Sequence, residues 1–373
     1  MSAETDNPLY DYYNYDNATD DGLFYFNISL DCQNTYLHGS NIFLPVLYYV
    51  IFFTGFLGNL FVISVVGRKG KRGGRLVDIF VVNLALADLI FVITLPLWAV
   101  SASQNSNWDF GAAGDLLCKL SSYIIAVNRF SNIFFLTCMS VDRYLAVVRL
   151  MDSRYLRSSL CIRGTCAAVW LSSLVFGIPS LVYRRVEPLG DGLSCVEDNE
   201  SYYFIGMSLT MVLLTFVFPM LIFIFCYGGI MVHLNRHCHS ANPQSEARRR
   251  HSLKMVLSIV VAFMVSWLPF NIFKVITIGL QLSNVDLNCD DQSWQRNGLL
   301  ISCSLAFLNS CVNPAIYFFL DRHFRRSAET MFKTCRGKPK LQSGHNSSAS
   351  FTNIRNSESF GTTGGRTHLQ VFV

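Results

Sequence analysis

Charge is what this chain of 373 residues has little of. Only 15% of its residues are Asp, Glu, Lys or Arg, whereas soluble chains carry about 25%. Together with 51% hydrophobic residues, the deficit excludes a water-soluble core and intrinsic disorder. It is also concentrated. No charged side chain interrupts Ile42–Gly67, Leu89–Asn107, Gly164–Tyr183, Ser201–Asn235, Met255–Phe273 or Asn297–Leu320. Each run is comparable to, or longer than, the ~20 residues with which a helix crosses a bilayer. The strands of a porin-type barrel would instead be ~9–11 alternating residues. Residues 1–40 contain no Lys or Arg, so the basic start of a secretory signal peptide is missing. There is no His/Cys spacing for a metal and no glycine loop for phosphate, because Gly70 and Gly73-Gly74 lie among basic residues with no strand before them. His233, His237, His239 and His251 read as a solvated basic face rather than a metal site. No internal repeat of the kind seen in secondary transporters is present. An enzyme and a transporter are therefore the weaker readings.

What is present is a set of spans. Val77–Ala99 is apolar except for Asp78 and Asp88, and Leu116–Val141 except for Lys119 and Arg129. Joining the first of these to the Leu89 run gives seven spans, at 42–67, 77–100, 116–142, 163–183, 203–233, 254–279 and 297–320. Lys and Arg cluster in 68–75, 143–163, 236–254 and after 320, which together hold 24 of the 30. The positive-inside rule makes these segments cytoplasmic. Seven acids in residues 1–40, with Asp109, Asp115, Glu187, Asp191, Glu197, Asp198, Glu200, Asp286, Asp290 and Asp291, mark the other face. The fold class is an all-α membrane protein, a seven-helix bundle with the amino terminus outside. The net charge of +5 reflects this sidedness and gives no reason to expect nucleic acid as a partner.

The outer segments carry modification signals. Asn17, Asn27 and Asn199 head glycosylation sequons on the outer side. Tyr10, Tyr12, Tyr13 and Tyr15 sit among Asp6, Asp11 and Asp16 in the acidic tail of residues 1–41, whose field would steer a basic ligand inward. Cys32, Cys118, Cys195 and Cys289 are the four outer cysteines, which allow three pairings. Inside, residues 321–335 begin Asp321-Arg-His-Phe-Arg-Arg326 and read as an amphipathic eighth helix lying on membrane lipid. Cys335 is a candidate for palmitoylation. Residues 336–373 are rich in Ser and Thr and read as a disordered phosphorylation tail.

Several motifs fall in order along the spans: Gly58-Asn59, Leu84-Ala-Leu-Ala-Asp88, Asp142-Arg143-Tyr144, Trp170, Pro219 with Tyr227, Trp267-Leu-Pro269-Phe270, and Asn313-Pro314-Ala-Ile-Tyr317. Over about 280 residues the chain resembles the rhodopsin-like (class A) G-protein-coupled receptors. Thr94-Leu-Pro-Leu-Trp98, Trp108-Asp-Phe-Gly111 and Leu116-Leu-Cys118-Lys119 make it similar to the chemokine and peptide receptor branch. The resemblance implies the pairings Cys118–Cys195 and Cys32–Cys289, and tyrosine sulfation in the tail. It implies an extracellular peptide or chemokine-like ligand, a heterotrimeric G protein of Gi/o type, and arrestin on the cytoplasmic tail. It further implies that Asp142 restrains Arg143 at rest, that Tyr144, Tyr227 and Tyr317 belong to the same switch, and that Pro269 and Pro314 kink the helices that move.

Three embedded ions need a purpose. Asp88 at bilayer depth costs at least ~2.5–3.5 kcal/mol and must be partnered; Asn59, Asn128, Asn132, Asn309 and Asn313 are the candidates. In the family such a cluster holds an allosteric Na⁺, with no other cofactor. Asn132 stands where relatives commonly carry Ser, so an ion and a hydrated polar network both remain open. Arg129 lies eleven residues, roughly 16 Å, down the third helix from Cys118, too deep to snorkel. Lys274 lies two turns outward from Trp267. Trp98, Arg129, Trp267 and Lys274 are therefore the candidate ligand contacts, suited to a ligand with a basic body and an acidic end. A small anionic or lipid mediator is the alternative ligand. For the cations, internal pairing with residues such as Asp290 or Asp291, or for Lys274 snorkelling, is the alternative role. Cys303 and Phe307 occupy the region where many chemokine receptors carry Glu, so their contact scheme does not transfer.

Overall fold

Proline sets several of the breaks in this succession of helices. The computed structural model describes residues 37, 39–70, 76–148, 158–189, 192–197, 202–236, 243–283 and 288–335. The first span is one helix, α1 (Ser40–Gly70). The second is two, α2 (Leu76–Val92) and α3 (Leu95–Ser103), because Pro96 has no N–H for the carbonyl four residues back and its ring crowds that turn. The Thr94 hydroxyl donates to Phe91 O at 2.8 Å in the gap. A single helix ending near Trp98 was expected here; the break at Thr94 and the run to Ser103 correct that. The third span is α4 (Gly114–Val148), entered through a 3-10 turn at Gly111–Ala113. The fourth is α5 (Ser159–Gly177), prolonged by one turn, α6 (Pro179–Val182).

The fifth span joins α7 (Tyr202–Val212) to α8 (Phe218–Arg236) through a π-helical turn, Leu213–Val217. The sixth is α9 (Pro243–Leu282), and the seventh joins α10 (Cys289–Phe307) to α11 (Asn309–Leu320). Seven of these stretches are long and apolar enough to cross a membrane. An eighth helix, α12 (Arg322–Cys335), follows. Asp321 caps it by accepting from Phe324 N at 3.2 Å, and Phe324 and Ala328 are buried on its inner face. The chain divides into two compact units after Met331, and of the second the structure describes only the last turn of α12.

Burial runs opposite to that of a soluble protein. Leu171, Leu221, Phe225, Val265 and Phe319 are each more than half exposed, which a hydrocarbon surround makes favourable. Asn59, Asp88, Asn132, Ser140, Asn309 and Asn313 are buried between helices, since the bilayer core offers them no hydrogen-bonding water.

The Gly58-Asn59 pair shows how the bundle is closed. Pro314 cannot donate to Ser310 O, four residues earlier in the seventh span. Asn59 Nδ2 supplies the missing donor at 2.9 Å, while also donating to Gly55 O at 2.9 Å. The first span must come close for this to happen, and a Cβ on Gly58 would sit 3.0 Å from Pro314 Cβ and 3.1 Å from its Cγ.

The segment between the fourth and fifth spans is not helical. β1 (Arg184–Leu189) and β2 (Gly192–Glu197) form an antiparallel hairpin with Val186 opposite Cys195 and Arg184 opposite Glu197. A disulfide joins Cys195 to Cys118 at the head of α4, Cα to Cα 5.7 Å. Trp108 N donates to Leu193 O at 2.7 Å and Leu193 N to Asn107 Oδ1 at 2.9 Å, so the hairpin is also laced to the loop before α4. Nothing in the sequence reading anticipated these strands. Cys289 is a disulfide cysteine, but Cys32, its expected partner, lies outside the described residues. So do Asn17, Asn27, Asn199, Tyr10, Tyr12, Tyr13 and Tyr15, and the side chain of Cys335.

Gly58→Val is expected to lower the melting temperature of the purified protein, because the rigid Pro314 ring cannot yield. Overpacking of this kind costs about 1–3 kcal/mol, and an unchanged melting curve would show that the two spans are not in contact.

Candidate functional site

A cavity of about 460 Å³ opens between the helices under the hairpin, within the usual range for ligand sites. Trp98, Arg129, Trp267 and Lys274 all line it. Its floor is aromatic: Phe270 stands perpendicular to Trp267 at 5.7 Å between centroids. Arg129 lies over both rings, its Cζ 5.0 Å from the Trp267 centroid and 5.3 Å from that of Phe270, a favourable place for a guanidinium. Arg129 Nη2 donates to Thr215 Oγ1 at 2.5 Å and to Asn271 Oδ1 at 3.0 Å. Asn271 is held in turn by donating to Trp267 O at 2.8 Å. The third, fifth and sixth spans thus meet at one cation. Among the described residues Arg129 has no carboxylate partner; its bonds go to neutral oxygens.

Lys274, by contrast, is paired. Its Nζ reaches Glu197 Oε2 at 2.6 Å, and Arg184 Nη2 stands 3.7 Å from Glu197 Oε1. This is the internal pairing weighed as the alternative, with Glu197 in place of Asp290 or Asp291. Those two acids sit in the first turn of α10, where the helix N-terminus favours negative charge, and the lysine's counter-ion comes from the hairpin. The disulfide at Cys195 fixes β2 two residues away. Burial alone would raise the Glu197 pKa, but Lys274 and then Arg184 outweigh it and hold the carboxyl at about 2. Arg296 also lines the cavity, so its described walls carry four cations to one carboxylate.

Asp88 lies deeper, fully buried. Its Oδ1 accepts from Asn128 at 3.0 Å, Asn132 at 2.8 Å and Ser310 at 2.9 Å, and its Oδ2 from Asn313 at 2.9 Å. Three of the five expected asparagines therefore touch it. Asn59 instead serves the Ser310 carbonyl, and Asn309, also buried, is not among the donors to Asp88. Ser310 was missed. Three of these four donors converge on Oδ1, crowding its two lone-pair directions, while Oδ2 accepts from Asn313 alone. This arrangement does not fit a sodium ion on Oδ1, which three N–H and O–H donors already occupy.

At the inner end of α4, Arg143 Nη2 donates to Asp142 Oδ2 at 2.7 Å, the two side chains 15% and 8% exposed. Tyr144 points to the fifth span, its ring 5.4 Å from Phe225 and over Gly229, where a Cβ would be 2.7 Å away. Tyr317 is buried beside Phe324, 6.4 Å between centroids, and Tyr227 is half-buried against the core. Pro269 and Pro314 lie inside α9 and α11.

Thr215, Asn271, Glu197, Arg184 and Arg296 were not anticipated as site residues. Asn271 lay within reach of a helical-face argument, being four residues after Trp267 and three before Lys274. Thr215 depends on the π turn, and Glu197 on the hairpin.

Seven membrane-crossing helices around an outward pocket, with an Asp–Arg pair at the inner lip, define a heptahelical membrane receptor. Residues 58–317 match the family model described as 7 transmembrane receptor (rhodopsin family), and the chain belongs to that family. It is 39% identical over 287 residues to Probable G-protein coupled receptor 25 of Mus musculus, covering 76% of each chain. It is 38% identical to Apelin receptor B of Danio rerio over 76% of this chain and 80% of that one. It is 36% identical to G-protein coupled receptor 15 of Mus musculus over 79% of both. The protein is a multi-pass receptor of the plasma membrane, and its family is not one of enzymes.

Because the Glu197 pKa is depressed when folded, the ion pair stabilises fully above the ordinary value of 4.5 and is lost as pH falls toward about 2. Glu197→Gln is therefore expected to lower the melting temperature by a constant amount between neutral pH and about 5, with the gap to the native protein closing as pH falls further. A gap that closed between pH 7 and 6 would show that Glu197 is not held by the cations.

Proposed function

We propose that the chain is a receptor for an extracellular peptide or chemokine-like ligand, signalling to a heterotrimeric G protein of Gi/o type and to arrestin. The observation that carries this reading is the cavity wall, with four cations to one carboxylate above an aromatic floor. An acidic group of the ligand, such as a terminal carboxylate, would reach Arg129 and compete for Lys274, while a basic body would be drawn in by the acidic tail of residues 1–41. Two of the relatives support the peptide class: apelin receptors of Danio rerio and Xenopus tropicalis are 38% and 35% identical to this chain.

In the proposed cycle Arg129 is the trigger. A ligand carboxylate would draw its guanidinium from Thr215 and Asn271 and loosen the tie between the third, fifth and sixth spans. The sixth span would swing at Pro269, where a helical hydrogen bond is already missing. Inside, Arg143 would leave Asp142 and face the G protein, with Tyr144, Tyr227 and Tyr317 repacking around it. A preference of the ligand for the open state of ~3–5 kcal/mol would move most of the population. The tail beyond Cys335 would take up phosphate and recruit arrestin, and palmitate on Cys335 would hold α12 to lipid. Asn17, Asn27 and Asn199 as glycosylation sites, Tyr10, Tyr12, Tyr13 and Tyr15 as sulfation sites, and Cys32–Cys289 as a second bridge belong to the same reading.

The test is a screen of secreted peptides, with apelin as the first probe, on cells expressing the chain, read by cAMP and arrestin recruitment. With the peptide that activates, Arg129→Gln is expected to lose about tenfold to hundredfold in potency at unchanged surface level, matching the ~1.5–3 kcal/mol of a charged hydrogen bond. Unchanged potency at unchanged surface level would remove Arg129 from the ligand site. A neutral lipid that matched every peptide would overturn the ligand class.

A further inference from the structure

We infer that the polar centre around Asp88 is complete without a cation, and that Asn132 is the residue that makes it so. A buried carboxylate in a bilayer has to be compensated. Two solutions exist: a cation beside it, or enough protein donors to occupy its oxygens. This chain uses the second. Asn128, Asn132, Ser310 and Asn313, drawn from the third and seventh spans, place four donors between 2.8 and 3.0 Å from the two oxygens.

The asparagine amides are also locked in the donating sense. Asn132 Nδ2 is shared between Asp88 Oδ1 at 2.8 Å and Asn128 Oδ1 at 3.4 Å. Asn128 in turn gives its own Nδ2 to Asp88 Oδ1. The amide planes are thereby fixed by the network. Turning Asn132 over to offer its oxygen to an ion would break both of its bonds and set oxygen against oxygen at each. Turning Asn128 over would break its bond to Asp88 and set nitrogen against the Asn132 nitrogen. Four buried amide oxygens meet no protein donor, those of Asn59, Asn132, Asn309 and Asn313; the Asn132 and Asn313 oxygens are the far ends of amides whose nitrogens are already committed to the carboxylate, and the Asn59 nitrogen is committed to Gly55 O and Ser310 O. A cation arriving at Asp88 Oδ1 meets three N–H and O–H donors and must expel at least one of them, leaving that donor unsatisfied at a buried site.

Asn132 matters most because its one nitrogen ties both Asp88 and Asn128. A shorter hydroxyl side chain at that place, as in Asn132→Ser, would remove the 2.8 Å donor, release the Asn128 amide and open room beside Oδ1. The centre would then need a cation to restore its balance.

The experiment uses the purified full chain and sodium itself as the probe, with no agonist. Melting temperature is measured in NaCl and in choline chloride at equal ionic strength, about 0.15 M. The native chain is expected to melt at the same temperature in both. Asn132→Ser is expected to melt lower in choline and to recover in a saturable, sodium-dependent manner, by the mass action of an ion that binds only the folded state. If Asn132→Ser does not purify, Asn132→Ala carries the same expectation. A saturable rise of the native chain in NaCl over choline that vanished in Asp88→Asn would overturn the inference. A native chain indifferent to sodium, with both Asn132 variants equally indifferent, would overturn the role given to Asn132.

Discussion

Hydrocarbon offers no hydrogen-bond partner, and the polar groups carried into the bilayer by these seven spans turn to their own helix or to another span for one. That constraint organises the molecule from end to end. Asp88 gathers four donors from two helices. Arg129 rests on neutral oxygens of the fifth and sixth spans and on two aromatic faces. The Ser310 carbonyl, freed by Pro314, is met by Asn59 from the first span. Each answer fixes the rotation of a helix, so polar groups that look costly one at a time determine which faces of the bundle point inward.

The same constraint explains how such a packed interior can still move. Prolines at 269 and 314 leave helical bonds unmade, and the π turn at Leu213–Val217 misaligns the ladder beside Thr215. These irregularities are tolerated where side chains cover the exposed backbone groups, as Asn59 covers the Ser310 carbonyl, and Pro269 and the π turn lie beside the residues of the cavity floor. Above that floor, the Cys118–Cys195 bridge and the hairpin fix the mouth, delivering Glu197 to Lys274. The pocket is thus rigid at its rim and jointed at its base, an arrangement suited to converting occupancy at the outer side into displacement at the inner one.

Much of this was legible in the sequence, for a physical reason. The length of an uncharged run is a direct measure of bilayer crossing, so the seven spans needed no alignment of helical faces. A charge at depth must point inward, so Arg129, Lys274 and Asp88 could be assigned to the interior from position alone, and the structure puts the two cations on one cavity wall. What the sequence did not disclose depends on geometry between segments. Glu197 became a pocket residue only because the outer loop folds as a hairpin. Thr215 faces Arg129 through the altered phase of a π turn. Asn59 was assigned to Asp88 and instead serves a carbonyl that only Pro314 leaves free. The helix break at Thr94 could have been read from Pro96, but hydropathy continues across it unchanged.

All of these arguments require an odd number of crossings with the acidic tail outside. The most direct measurement is antibody labelling of cells that express the chain with one epitope at the amino terminus and a different one at the carboxyl terminus. The amino-terminal epitope is predicted to label on intact cells and the carboxyl-terminal epitope only after permeabilisation. Labelling of both on intact cells, or of neither until permeabilisation, would contradict the seven-span arrangement and with it the partnering of every embedded charge described above.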